Sequence, residues 1–271
     1  MRKGMKILFT DLDGTLLNNN SRISEKTKRF LDEFIRAGNK LVLSSGRPLF
    51  SVLEVMENAH LTYPGIIVIA NNGTLIYDCD SQKPLLEKRL PLSYVAYLQA
   101  QAKAHGLHIQ TYTDDAVVCT TEDAEIRYYR RRIHLPLLLA EDYAAFLPKE
   151  PFKMLAIHLD DHSRLTAFCD SIANWAAGKI QYIFSNEQYL ELFDKDAGKG
   201  NAIRFVCSHF QIPLADSYAA GDAQNDISML EAAGYGIAMA NADPAVKKAA
   251  DVITSKDNDN DGLAEFLQTR I

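Results

Sequence analysis

Two acidic stretches carry side chains able to do chemistry together: Asp11-Leu12-Asp13-Gly14-Thr15 and Gly221-Asp222-Ala223-Gln224-Asn225-Asp226. Each follows a short β-type run, Ile7-Leu8-Phe9 before the first and Ser217-Tyr218-Ala219-Ala220 before the second. Acids placed there are either solvated turn residues or a site built to hold a cation. Four aspartates, Asp11, Asp13, Asp222 and Asp226, aimed at one point would repel one another unless a cation neutralised them. Oxygen-only ligands with no histidine or cysteine beside them select a hard ion, Mg²⁺ foremost, which keeps waters and is completed by a substrate phosphate.

Lys199 lies in Asp196-Ala197-Gly198-Lys199-Gly200-Asn201, at the predicted start of a helix, where backbone N–H groups and an ammonium can both face a phosphate. Ser45, followed by Gly46, ends another predicted strand and can donate its hydroxyl to a phosphoryl oxygen. There is no Gly-x4-Gly-Lys-Ser/Thr loop and no Gly-x-Gly-x-x-Gly, so readings as an ATP or dinucleotide site lack their phosphate-binding element. What remains is phosphoryl transfer without a nucleotide cradle. One carboxylate can attack phosphorus to give an acyl phosphate. A second, two residues on, can protonate the leaving alcohol and then activate water.

These residues need a scaffold that brings distant segments to one edge. Residues 6–10, 40–44 and 66–70 read as buried strands, separated by helical patterns over 24–37 and 51–58. Toward the other end, helices over 199–210 and 226–233 alternate with strands over 217–220 and 236–239, and further helices follow over 244–250 and 263–268. This alternation predicts a doubly wound, Rossmann-like α/β core with a parallel sheet, whose ligands bind at the strands' carboxyl ends. The middle has a different order, with helices over 92–104 and 164–176 and strands over 107–112 and 154–159. It reads as an α+β domain inserted into the first, giving a core of 1–82 and 189–271 and an insertion of 83–188.

With these motifs in this order the sequence resembles the haloacid dehalogenase superfamily, and within it the Cof-type phosphatases with a type IIB cap. The matching motifs are Asp11-Leu12-Asp13-Gly14-Thr15, Ser45-Gly46-Arg47-Pro48, Gly198-Lys199-Gly200 and the run from Gly221 to Asp226, with Asn71-Asn72-Gly73 and Asp261-Gly262 also in keeping. The resemblance implies a Mg²⁺-dependent phosphatase acting on a small phosphomonoester, a sugar phosphate or similar metabolite, through an aspartyl phosphate. Asp11 would be the nucleophile and a metal ligand; Asp13 the general acid/base, its backbone carbonyl on the metal. Ser45 and Gly46, where the family usually has Thr-Gly, Lys199 and Asn225 would bind the phosphoryl group. Asp222 would complete the protein ligands, and Asp226 would stand just behind them. Residues 83–188 would form a cap that contacts the leaving group. Two other readings stay open: a phosphosugar mutase or phosphotransferase, and a phospho-metabolite sensor without catalysis, although the latter should have lost some of these acids.

The remaining features narrow the setting. A net charge of −6 disfavours nucleic acid and anionic membranes as partners. The four cysteines form no Cys-x-x-Cys pair, and no apolar run approaches the ~20 residues of a membrane span. A cytoplasmic enzyme with no obligate protein partner is expected. Asp257-Asn258-Asp259-Asn260-Asp261-Gly262 mimics the start of a calcium loop, but position twelve is Gln268 rather than a bidentate Glu, so a polar loop is expected. The basic run Arg127 to Arg132 fits the outer face of an amphipathic helix with Ile126, Tyr129 and Ile133 inward. His105, His108, His134, His158 and His162 lack ligand spacing, and Trp175 is expected in a core.

Overall fold

The computed structural model describes residues 4–131 and 133–270. Fourteen strands form among them. In chain order they are β1 (Ile7–Thr10), β2 (Lys40–Ser44), β3 (Ile67–Ala70), β4 (Leu75–Asp78), β5 (Lys83–Glu87), β6 (His108–Tyr112) and β7 (Val117–Cys119). Then come β8 (Leu137–Leu139), β9 (Lys153–Ile157), β10 (Ile180–Asn186), β11 (Tyr189–Asp194), β12 (Ser217–Gly221), β13 (Tyr235–Ala238) and β14 (Val252–Ile253). They build two sheets, ordered β14-β13-β12-β1-β2-β3-β4-β5 and β10-β11-β9-β6-β7-β8.

The first sheet is parallel from β14 to β3 and turns antiparallel at β4. Strand β1 is buried on both faces, as a central parallel strand must be: Ile7, Leu8 and Phe9 are fully enclosed. Its register places Thr10 opposite Leu43 on one side and Ala220 on the other, so the carboxyl ends of β12, β1 and β2 lie level. The chain order reverses at β1, with β2 on one flank and β12 on the other, the switch point at which parallel sheets open a crevice. The predicted doubly wound core is thus the fold observed.

The helices that flank this sheet follow their apolar spacing. Glu25–Arg36 buries Phe30, Leu31 and Phe34, and its N-terminus is capped by the Ser24 side chain, which accepts from the Thr27 N–H. Lys199–His209 packs on Ile227–Ala232 so closely that a Cβ on Gly200 would stand 2.3 Å from the Ser228 carbonyl oxygen.

The chain divides into two units, one holding everything up to Leu86 and again from Gly198, the other Glu87–Ala197. The sequence pattern suggests 82/83 and 188/189 as the boundaries. Both unit boundaries fall later: β5 belongs to the first sheet, and β11 pairs antiparallel with both β9 and β10 and so belongs to the second. In that unit Leu92–Ala104 and His162–Ala176 cover one sheet face, burying Val95, Leu98, Leu165, Phe168 and Ile172 with Met154, Ala156 and Leu190. Trp175 stacks on Tyr97 at 4.1 Å, against that core. All four cysteines are free thiols, Cys119, Cys169 and Cys207 being buried. No helix among the described residues is long and apolar enough to cross a membrane.

Because the helix contact at Gly200 leaves no room for a methyl group, Gly200→Ala is expected to cost about 1–3 kcal/mol. Thermal denaturation should show a fall of several degrees; an unchanged melting temperature would contradict this packing.

Candidate functional site

The carboxyl ends of β1, β2, β3 and β12 each release a polar loop, and the four loops are hydrogen-bonded to one another. Asp11 leaves β1 with its backbone N–H on the Ala220 carbonyl at 2.9 Å, so it starts level with the end of β12. The Thr15 hydroxyl then donates to Asp222 Oδ1 at 2.8 Å, which fixes the first acidic loop against the second. Only glycine fits between them: Gly14 has a φ of +78°, and a Cβ there would lie 2.3 Å from Asp222 Oδ2.

Lys199 reaches from the first turn of its helix into the middle of this cluster. Its Nζ donates to Asp11 Oδ1 and Asp226 Oδ1, both at 2.6 Å, and to the Ser44 carbonyl at 3.0 Å. It is 1% exposed, so these three acceptors replace water entirely. Burial alone would lower its pKa, but the two carboxylates more than offset that and hold it above the usual lysine range. The other oxygen of Asp226, Oδ2, accepts from the N–H groups of Asp222 and Ala223 at 3.0 and 3.1 Å. Asp226 therefore anchors both the lysine and the loop that carries Asp222.

Asp11, Asp222 and Asp226 present oxygens that all lie within 4.8 Å of one another. Burial pushes the Asp11 carboxyl well above the ordinary range; Lys199 opposes this, while Asp226, Asp222 and Asp13 add to it. Asp222 is pushed up to about 7, first by burial and then by the charge of Asp226. Three carboxylates and one ammonium leave a net charge of −2 when all are ionised. An all-oxygen donor set carrying that charge fits a hard divalent cation.

The predicted residues do not all gather at that point. The Asp13 carboxylate stands apart from the triad, gripped by Arg47 through Nε at 2.7 Å and Nη2 at 2.6 Å. This two-pronged pairing holds the Asp13 carboxylate outside the cluster formed by the other three acids. Ser45 is buried, and its Oγ accepts from the Arg47 N–H at 3.1 Å while its proton remains to be given. Gly46 lies against the Asn72 amide: a Cβ on Gly46 would meet Asn72 Oδ1 at 3.2 Å. Asn225 donates its Nδ2 to the same Oδ1 at 3.0 Å. Arg47 and Asn72 carry no role in the sequence reading. The adjacency Ser45-Gly46-Arg47 is a usable signal for the first; for the second, Asn71-Asn72-Gly73 is in keeping with the resemblance but implies no role.

The polar 257–262 loop and the basic run lie elsewhere. Asp257 Oδ1 accepts from the Asn260 N–H, Asp259 from the Asn19 N–H, and Asp261 from Thr27 and Ser24, so these acids tether a polar loop. The helix Ala124–Tyr129 buries Ile126 and Tyr129 and leaves Arg127 exposed. Arg127, Arg130 and Arg131 line an open pocket of about 500 Å³ with His134, Leu135 and Pro136, while Arg132 lies outside the described residues. Among the described residues no histidine joins a cluster able to hold a metal.

A family model described as haloacid dehalogenase-like hydrolase matches residues 8–267. The chain belongs to the haloacid dehalogenase-like hydrolases. It is 28% identical to phosphatase YwpJ of Bacillus subtilis over 290 residues, covering 97% of this chain and 99% of that one. It is 26% identical to the 5-amino-6-(5-phospho-D-ribitylamino)uracil phosphatase YwtE of the same organism, covering 97% of each. A haloacid dehalogenase-like hydrolase from Bacteroides thetaiotaomicron has the same fold, with a TM-score of 0.87, 29% identity, and coverage of 98% of this chain and 100% of that one.

A cation held by these acids requires them deprotonated. Without one, the raised Asp222 pKa makes the protonated fold favourable, and that contribution is lost as pH rises from about 4 toward 7. Added MgCl2 should therefore raise the melting temperature little at pH 5 and fully at pH 8. An equal shift at both values would contradict a cation site containing Asp222.

Proposed function

We propose that this hydrolase is a Mg²⁺-dependent phosphatase that cleaves a small phosphomonoester through a phosphorylated Asp11. The observation that carries the reading is the convergence of Asp11, Asp222 and Asp226, beyond the carboxyl ends of the adjacent parallel strands β1 and β12, around Lys199. Asp11 and Asp222 would hold Mg²⁺ directly, with the Asp13 backbone carbonyl, and Asp226 would support them through Lys199 and the 222–223 amides. The ion, when bound, supplies charge neutralisation, which lets a dianionic phosphoryl group approach a carboxylate.

The chain's own residues then divide the remaining work. The Asp11 carboxylate attacks phosphorus, forming the O–P bond of an acyl phosphate as the ester P–O bond breaks. Asp13 gives a proton to the departing alkoxide, releasing an alcohol. A water attacks the acyl phosphate, Asp13 takes its proton, and inorganic phosphate leaves with Asp11 restored. Lys199, already aimed at Asp11 Oδ1, shares the charge that builds on the phosphoryl oxygens, aided by the Ser45 hydroxyl, the Gly46 backbone and Asn225. The two-pronged grip of Arg47 fixes the direction of the Asp13 side chain.

A sugar phosphate or a similar phosphorylated metabolite is the substrate class proposed. A phosphorylated ribityl compound is named for the relative YwtE, in keeping with that class. The identity of the leaving group is expected to be read by residues 83–188, as the resemblance implies.

Hydrolysis of p-nitrophenyl phosphate with Mg²⁺ tests the roles separately. Asp11→Asn should lower kcat by at least about 10³-fold, and Asp13→Asn by about 10²–10⁴-fold. Phosphorylated protein should be trapped by rapid quenching of the Asp13→Asn enzyme. An Asp11→Asn protein with ordinary turnover would overturn the nucleophile assignment.

A further inference from the structure

The turn that follows β3 has an unusual backbone. Asn71, Asn72 and Gly73 occupy the left-handed region in succession, with φ of 48°, 57° and 93°. Glycine takes this conformation at no cost, but two consecutive asparagines do not. Strain of this kind persists where the surroundings over-determine it, and it concentrates at functional sites. Here the surroundings do so: the Asn72 N–H donates to the Ser45 carbonyl at 3.0 Å and the Asn71 N–H to the Arg47 carbonyl at 2.9 Å. A Cβ on Gly73 would sit 2.5 Å from the carbonyl oxygen of Gly198, directly before Lys199. The turn is thereby clamped between the loop after β2 and the start of the lysine's helix.

The Asn72 side chain is completely buried. Its Oδ1 accepts from Asn225, yet its Nδ2 has no hydrogen-bond partner among the described residues. An orphaned buried amide donor is costly, and native structures seldom leave one without a reason. The orphan is a donor, and the group that lacks acceptors least is a phosphoryl dianion, which offers three terminal oxygens and no hydrogens. Gly46 lies directly against this amide, so close that a Cβ there would come 3.3 Å from Nδ2.

We infer that Asn72 is a phosphate-binding residue: its Oδ1 holds Asn225 in place, and its Nδ2–H donates to an oxygen of the bound phosphoryl group. This rests on the phosphatase reading of the same site but adds a residue to it. Neither the four motifs nor the acidic clusters point to Asn72.

Three measurements on wild type, Asn72→Gly and Asn72→Asp test it: thermal stability, KM and kcat for p-nitrophenyl phosphate, and calorimetric affinity for inorganic phosphate with Mg²⁺. Asn72→Gly suits the left-handed backbone and should keep the melting temperature, while KM and the phosphate dissociation constant rise about tenfold. Asn72→Asp keeps an acceptor for Asn225 but replaces the donor with an anionic oxygen, so its phosphate affinity should fall further still. Phosphate affinity restored in Asn72→Asp relative to Asn72→Gly would overturn the donor role, as would wild-type affinity in both. Wild-type protein that binds phosphate but releases none from any ester would instead overturn the phosphatase reading and leave the binding comparison valid.

Discussion

The Lys199 ammonium, enclosed between Asp11 and Asp226, is the contact on which the site's geometry depends. A buried cation without partners would be expelled, and two buried carboxylates without a cation would take up protons. Each charge is tolerated because the others are there. The same contact ties together β1, the helix that begins at Lys199 and the loop after β12, three segments far apart in sequence. Removing either partner would leave an unpaired charge in the interior, so the lysine has a structural part as well as a chemical one.

The surrounding loops are shaped by how closely charges and backbone must approach. Gly14 leaves room for the Asp222 carboxylate, and Gly221 does the same for Asp226, whose Cβ would be 2.4 Å from a Cβ on Gly221. The two N–H groups that Asp226 Oδ2 accepts from brace the 222–226 loop, in which Asp222 comes within 4.8 Å of Asp11. Asn241 extends the same framework by donating to the Gly14 carbonyl at 2.8 Å. The carboxyl edge of the sheet is therefore a set of mutually braced loops that carry both acids and N–H and O–H donors. That combination suits a reaction in which a metal ion and a phosphoryl group must both be bound.

Much of this was readable beforehand, for identifiable reasons. Parallel strands buried on both faces, such as Ile7–Thr10 and Ile67–Ala70, appear as unbroken apolar runs, and acids directly after them mark strand ends. Lys199 stood out by its two glycines, though its burial between two acids is a tertiary fact that no local pattern carries. The direction of the Asp13 carboxylate was likewise hidden, because it is set by Arg47, 34 positions away. Asn71-Asn72-Gly73 fits the resemblance as a stretch, but a role for Asn72 emerges only from its φ angles and its orphaned amide. In the inserted unit the three-residue strands β7 and β8 were too short to show a period, and β11 could be assigned only by its pairing.

The central claim is that Asp11, Asp222 and Asp226 surround one divalent cation, with Lys199 beside it. Crystals grown with Mn²⁺ in place of Mg²⁺ and measured near the manganese absorption edge would locate such an ion by its anomalous scattering. One strong peak bonded to Asp11 and Asp222, and absent from Asp222→Asn crystals, is the result this account predicts. A protein whose manganese peak lies instead at the 257–261 loop, or which shows none between those carboxylates at saturating Mn²⁺, would contradict it.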